Sequence, residues 1–147
     1  MSAICAVAGT FVVLRGLAFA GDALAHGVVP GVAAALLFGF SGVLGAAIGA
    51  PARFAIDQYF RKFTNKPYGI FVVNVVGSFV FGLTINSAQN TYALFAIGFA
   101  GAFTTWSTFM LDFFLAYEQK KYKDAAINLG ATIVFGLLAA SLGMSLT

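Results

Sequence analysis

The sequence is poor in charge, in acidic residues and in cysteine. Only 9% of its 147 residues are charged, Asp and Glu together number five, and Cys5 is the single cysteine. A lone cysteine forms no internal disulfide, which excludes a disulfide-stapled secreted domain. Soluble domains carry about 25% charged residues, and a chain with 61% hydrophobic residues cannot cover itself with a water-facing surface. The composition therefore excludes a soluble enzyme and a disordered tail, and it predicts a membrane protein.

Long uncharged runs predict an all-α membrane protein with four transmembrane helices. A helix needs roughly 20 apolar residues to cross the hydrocarbon, and three runs of at least that length follow Asp22, Lys66 and Asp124. The middle run is too long for one helix and divides at the polar cluster 86–90, which is typical of an inter-helix turn. No run shows the period-two alternation of a transmembrane barrel. The predicted spans are residues 31–52, 68–86, 91–114 and 124–146.

The first thirty residues do not fit this pattern. Their longest apolar run ends at Arg15, so it is short for a span, and a signal peptide would place its positive charge before the apolar stretch. We interpret residues 1–30 as an N-terminal extension of uncertain role that precedes a four-helix domain over residues 31–147. The extension is either an extra peripheral or spanning helix or a segment unrelated to function.

Part of this extension has a separate resemblance. Residues 11–31 resemble a transmembrane stretch of metal-ion ABC permeases, which leaves a permease fragment or assembly subunit as one alternative function. Asp22 and His26 would share a helix face there, but two ligands do not make a metal site.

Basic residues are concentrated in two connections. Seven of the eight Lys and Arg residues follow the first or the third predicted span, and none lies in the 86–91 connection or after the fourth span. The positive-inside rule therefore places both basic connections in the cytoplasm and the C-terminus outside. We interpret the net charge of +3 as this topology signal, and we predict no nucleic-acid partner.

Polar groups inside the predicted spans are neutral. No carboxylate or histidine lies at mid-depth, so a proton relay has no carrier, and redox or haem chemistry has no ligands. We therefore predict neither catalytic residues nor an enzyme. A small multidrug-type dual-topology transporter is a second alternative, but it needs an acidic residue in its first span, and residues 31–52 contain none.

Two clusters of polar residues, one in the second predicted span and one in the third, are the candidates for a functional site. Asn74 and Ser78 lie one helical turn apart, where they either hold helices together or line a pathway. Residues 98–109 combine two glycines with two Thr-containing pairs, a composition that predicts a local helix break. A break frees backbone carbonyls, which are ligands for a hard cation such as Na⁺. Trp106 and Phe109 share a face just beyond it, and the positive edges of aromatic rings attract a small anion.

Three motifs, in order, resemble the Fluc/CrcB family of fluoride channels over about residues 36–147. Residues 98–109, Gly-Phe-Ala-Gly-Ala-Phe-Thr-Thr-Trp-Ser-Thr-Phe, are similar to the family's third-helix signature GFxGGxTTFSTF. Residues 74–79, Asn-Val-Val-Gly-Ser-Phe, are similar to its second-helix NxxGSF. Residues 42–54 resemble its first-helix GGxxGAxxR pattern.

The resemblance implies a passive fluoride channel of the bacterial-type cell membrane that lowers fluoride toxicity. It also implies an antiparallel dimer with a structural, activating Na⁺ at its centre, bound by the backbone carbonyls of Gly101 and Thr104. A subunit that inserts both ways needs little charge bias, whereas this chain has a strong one. We therefore predict an antiparallel heterodimer with an oppositely oriented homologue, and an antiparallel homodimer is the alternative.

The resemblance assigns the fluoride pathway to residues of the second and third spans. Trp106 and Phe109 would occupy the two aromatic positions, although Trp106 stands where the family usually has Phe. Arg53 would attract anions at the aqueous vestibule. Polar donors along the pathway would come from Asn74, Ser107 and Thr108.

Overall fold

The computed structural model describes residues 40–64 and 66–147, and within these ranges every regular element is a helix. The predictions for the N-terminal extension lie outside the described residues. Helix α3 spans residues 89–103 and contains a π-helical stretch, Tyr92–Ala100, between short α-helical ends. The other helices are α1 Phe40–Arg61, α2 Tyr68–Thr84, α4 Ser107–Glu118 and α5 Tyr122–Ser145.

The described helices fit the four-span prediction. The predicted spans 68–86 and 124–146 correspond to α2 and α5 within two residues at each end. The third predicted span corresponds to α3 and α4 together, which form a 30-residue apolar segment, Gln89–Glu118. This segment and α5 are each long and apolar enough to cross a membrane, and α2 is a shorter apolar helix.

The predicted end of the first span is wrong. We expected the helix to end near residue 52 and the charges after it to lie in a connection, but α1 continues to Arg61 and contains Pro51. Arg53, Asp57 and Arg61 repeat every four residues and so share one face of the helix. Asp57 accepts a 2.7 Å hydrogen bond from Nε of Arg61. Arg53 and Asp57 are buried and Asp57 is paired with Arg61, which makes this run of charges compatible with a helix that continues to Arg61.

Small residues bring the helices together in two pairs. Helix α1 packs on α3, where a Cβ added to Gly45 or Gly98 would overlap backbone atoms of the opposite helix. Helix α2 packs on α5 in the same way, through Gly82 and Gly143. Such close backbone approach is typical of helix association in membranes, where packing replaces the hydrophobic effect.

Helix α5 leaves most of its apolar surface uncovered in the single chain. Its large exposed side chains include Ile127, Phe135, Leu137 and Leu142. An uncovered apolar surface of this size marks contact with lipid or with another protein. The composition and the exposed surface therefore agree that the chain belongs in a membrane.

Candidate functional site

Three residues between α3 and α4 are not helical. Helix α3 ends at Phe103, Thr104 has extended backbone angles with φ −73° and ψ 159°, and α4 begins at Ser107. The interruption therefore comprises Thr104, Thr105 and Trp106. It lies within the longest apolar segment of the described residues.

Threonine side chains stabilise both sides of the interruption. On the α3 side, the backbone N–H and the hydroxyl of Thr104 both donate to the carbonyl of Ala100, each at 2.9 Å. On the α4 side, the hydroxyl oxygen of Thr105 accepts the backbone N–H of Thr108 at 3.3 Å. Thr105, the residue before the N-cap position Trp106, thus supplies a side-chain oxygen to a first-turn N–H of α4 that has no partner within the helix.

Asn74 on α2 binds the peptide backbone of the interruption. The backbone N–H of Thr105 donates to Oδ1 of Asn74 at 2.8 Å, and Nδ2 of Asn74 donates to the carbonyl of Thr105 at 3.1 Å. Both distances are those of well-formed hydrogen bonds. A single side chain therefore satisfies both polar groups of a residue that has left the helix.

This arrangement changes the environment of the Gly101 carbonyl. In a continuous helix the N–H of Thr105 would donate to the carbonyl of Gly101, four residues earlier. Here that N–H is bound to Asn74 instead. Gly101 and Thr104 also line a common cavity of about 460 Å³ between α2, α3 and α5.

The polar groups of the residues that line this cavity are backbone groups and hydroxyls. The described residues contain no group of three or more His, Cys, Asp or Glu side chains that would hold a transition metal. Backbone carbonyls and hydroxyls remain, and these are ligands that alkali cations accept. Gly101 and Thr104, the two residues to which the resemblance assigned Na⁺, both line this cavity, and the ion itself stays a prediction.

The two predicted aromatic residues stand in very different environments. Trp106 and Phe109 have ring centroids 5.6 Å apart with planes tilted by 52°. Phe109 is 1% exposed and Trp106 is 66% exposed. Together with Asn74 and Thr104 they line a second cavity, of about 360 Å³, on the side facing α5.

Ser107 and Thr108 are oriented towards Thr105. The Thr105 hydroxyl lies 3.2 Å from Oγ1 of Thr108 and 3.4 Å from Oγ of Ser107. Neither residue is among those lining the second cavity, whereas Thr105 is. The structure therefore joins these hydroxyls to the cavity through Thr105.

Two residues of this region were missed by sequence reasoning. Thr105 carries the contacts described above, and its signal was the Thr-Thr pair at 104–105. Thr132 on α5 lines the second cavity and is 7% exposed, and its hydroxyl has no hydrogen-bond partner among the described residues. A single Thr in an apolar span carries no motif, so only the packing of α5 on α2 makes its position visible.

Charged residues form a separate cluster at one end of the helices. Arg61 links Asp57 of α1 to Asp112 of α4, with a 2.7 Å bond to Asp57 and contacts of 3.3 Å to both carboxylate oxygens of Asp112. Lys66 and Lys121, from the two basic connections, line the same cavity of about 630 Å³ as Arg61. The two basic connections therefore lie at the same end, as predicted.

Arg53 lies on α1, one helical turn beyond Gly49, which packs against the backbone of Phe99 and Phe103. It is 3% exposed in the single chain and lines neither of the two cavities described above. Its predicted place at the aqueous vestibule stays a prediction.

Comparison with known proteins gives concordant matches. A family model described as CrcB-like protein, Camphor Resistance (CrcB), matches residues 40–144, a range that contains all three motifs. A protein named fluoride-specific ion channel FluC 2, from Bacillus cereus, is 40% identical over 106 residues, covering 69% of this chain and 90% of that protein.

Similar relatives occur in distant organisms. The fluoride-specific ion channel FluC of Parabacteroides distasonis is 36% identical over 112 residues, which are 71% of this chain and 88% of that protein. The fluoride-specific ion channel FluC 1 of Methanosarcina acetivorans is 36% identical over 116 residues, which are 74% and 86% of the two chains.

Proposed function

Because the chain belongs to the CrcB-like family, we propose that it is a membrane channel that conducts fluoride passively and lowers its toxicity in the cytoplasm. The observation that carries this proposal is the neutral, hydrogen-bonding cavity beside the 104–106 interruption, built from the motif residues Asn74, Trp106 and Phe109. The relatives named as fluoride-specific channels support the choice of ion.

The lining of this cavity suits a small, strongly hydrated anion. Fluoride gives up tight water contacts on entering a pore, so an apolar passage alone would exclude it. A fixed cation in the pathway would hold the ion too firmly for it to leave. The ring edges of Trp106 and Phe109 and the amide of Asn74 attract the ion with intermediate strength, and Ser107 and Thr108 act through their contacts with the Thr105 hydroxyl.

A structural Na⁺ belongs to the same proposal. The carbonyls of Gly101 and Thr104 would hold it, and its role is to keep the interruption in place and to add a long-range attraction for anions. Arg53, buried on α1, would contribute positive potential on the approach to the pathway.

Passive conduction is sufficient for export. An inside-negative potential favours anion exit by about 2.3 kcal/mol per 100 mV. The described spans contain no mid-depth proton relay, in keeping with a channel and not a proton-coupled transporter.

The functional unit in this proposal is an antiparallel dimer in the plasma membrane. The exposed apolar surface of α5 and the open side of the Trp106 cavity are among the surfaces available to a second subunit. The charge bias favours an oppositely oriented homologue as the partner, with the homodimer as the alternative. A C-terminal tag probed in intact cells tests this, and equal labelling from both sides of the membrane would contradict a fixed orientation.

Fluoride efflux from liposomes tests the function itself. Vesicles reconstituted with the chain are loaded with potassium fluoride or potassium chloride, and an ionophore for K⁺ balances the charge. We expect rapid fluoride efflux, little chloride efflux, and loss of flux when Na⁺ is replaced by a bulky organic cation. Absence of fluoride efflux from both the chain alone and the chain with an oppositely oriented homologue would refute the proposal.

A further inference from the structure

We propose that Asn74 is a positioning residue for the cation site, in addition to any contact it makes with fluoride. Its side chain captures the N–H of Thr105 and so keeps the carbonyl of Gly101 available to the cation. This inference rests on the proposed function, because it assigns a role to one residue of the same site.

The hydrogen-bond geometry supports the inference directly. A helix that continued through the interruption would join the Thr105 N–H to the Gly101 carbonyl and would thereby consume that oxygen. Asn74 offers an alternative partner at 2.8 Å, and it returns a donor to the Thr105 carbonyl at 3.1 Å. The carboxamide of Asn74 thus presents the same donor and acceptor pair as a backbone peptide group. The Thr105 N–H can bind either the Gly101 carbonyl, as in a continuous helix, or Asn74, as at the interruption.

The position of Asn74 is itself constrained. The Ser78 hydroxyl donates to the Asn74 carbonyl at 2.8 Å within α2, and Gly77 between them lies directly against the methyl group of Thr104. Helix α2 therefore holds the carboxamide beside the interruption on a rigid element, which is the requirement for a positioning residue.

The same side chain connects the cation site to the anion pathway. Oδ1 and one hydrogen of Nδ2 are bound to Thr105, which leaves one Nδ2 hydrogen for an ion in the Trp106 cavity. A change at Asn74 therefore acts on two functions, and different substitutions separate them.

Asn74→Ala and Asn74→Asp make this separation. Alanine removes the partner of the Thr105 N–H, which then returns to the Gly101 carbonyl and competes with the cation. Aspartate keeps an acceptor for the Thr105 N–H but loses the amide donor and adds a negative charge facing fluoride. Asn128→Ala is the matched control, because Asn128 on α5 lines only the cavity at the charged end.

The first measurement is the Na⁺ concentration that gives half of the Na⁺-dependent rise in Tm in detergent, a readout that requires no flux. We expect Asn74→Ala to raise this concentration by about tenfold, the affinity change that corresponds to one lost hydrogen bond. For Asn74→Asp and Asn128→Ala we expect the half-maximal Na⁺ concentration to rise by no more than about threefold above the wild-type value.

The second measurement is fluoride efflux at low and high Na⁺. We expect Asn74→Ala to regain part of its flux as Na⁺ is raised and to stay below the wild-type rate because it also lacks the Nδ2 donor. Asn74→Asp should stay slow at every Na⁺ concentration because its negative charge repels fluoride. If Asn74→Ala does not fold, a tenfold rise in the half-maximal Na⁺ concentration for Asn74→Asp overturns the inference, and its absence supports it.

The outcomes distinguish this inference from the proposed function. An unchanged half-maximal Na⁺ concentration in Asn74→Ala overturns the positioning role, as does a wild-type Tm that does not respond to Na⁺. A wild-type Tm that responds to Na⁺ in a protein without fluoride efflux overturns the proposed function and leaves the role of Asn74 in place.

Discussion

Replacing Gly77 with alanine is expected to destabilise the 104–106 interruption. A Cβ added at Gly77 would overlap Cγ2 of Thr104 and would lie 3.3 Å from Cδ1 of Phe103. Thr104 is β-branched and stiff about χ1, and its hydroxyl is bound to the Ala100 carbonyl. Because the side chain cannot rotate away without losing that bond, the backbone of Thr104 or of α2 must move.

The magnitude follows from two opposing effects. Overpacking of a close contact costs about 1–3 kcal/mol. Replacing a helical glycine with alanine gains about 1 kcal/mol of helix propensity. The second effect is removed by comparison with Gly130→Ala, since a Cβ at Gly130 on α5 would meet no atom within 4 Å. We therefore expect Gly77→Ala to be less stable than Gly130→Ala by about 1–3 kcal/mol.

Unfolding in detergent micelles, followed with denaturant at fixed Na⁺, measures this difference. Fluoride efflux from liposomes should fall in Gly77→Ala and not in Gly130→Ala, because only the former displaces a carbonyl assigned to the cation. Equal stability of the two variants would refute the packing argument. A destabilised Gly77→Ala with unchanged efflux would instead refute the assignment of Thr104 to the cation site.

Three further predictions concern the rings and the charged cluster. Phe109→Ile should abolish fluoride efflux while the protein still assembles, at a cost of about 0.5–3 kcal/mol for a buried position; unchanged efflux would remove Phe109 from the pathway. Trp106→Phe should leave stability within about 0.5 kcal/mol, because the side chain is largely exposed, and should change the rate of efflux; an identical rate would show that the indole does not face the ion. A double-mutant cycle of Arg61→Met and Asp112→Leu, followed by denaturant unfolding, should give a coupling of about 0.5–1 kcal/mol, and a coupling of zero would show that the 3.3 Å contacts add nothing to stability.

Several features of this chain follow from local sequence. The spans at 68–86 and 124–146 were predictable because the length of an uncharged run is a local property that the thickness of the bilayer makes decisive. Family membership, predicted from three motifs, is confirmed by the family match over residues 40–144 and by relatives of 36–40% identity. The motif residues are adjacent in the chain, so their identity needs no knowledge of packing.

The length of α1 was not predictable in this way. A cluster of charged residues after an apolar run indicates a connection in water, and this is how we interpreted Arg53, Asp57 and Arg61. In the structure they lie within helix α1, and Arg61 contacts both Asp57 and Asp112. The second of these contacts joins residues 51 positions apart, and such a pairing leaves no local signal.

By itself, the sequence determined that this chain is a membrane protein and where the second and fourth predicted spans lie, and it predicted a local helix break within residues 98–109, since each depends on composition within one segment. Only the tertiary structure decided that Asn74 binds Thr105, 31 residues away, that Phe109 is buried while Trp106 is exposed, and that Thr132 faces the same cavity. These facts depend on how α2 and α5 pack against the interruption. Helix packing is set by contacts between segments, which no single segment encodes.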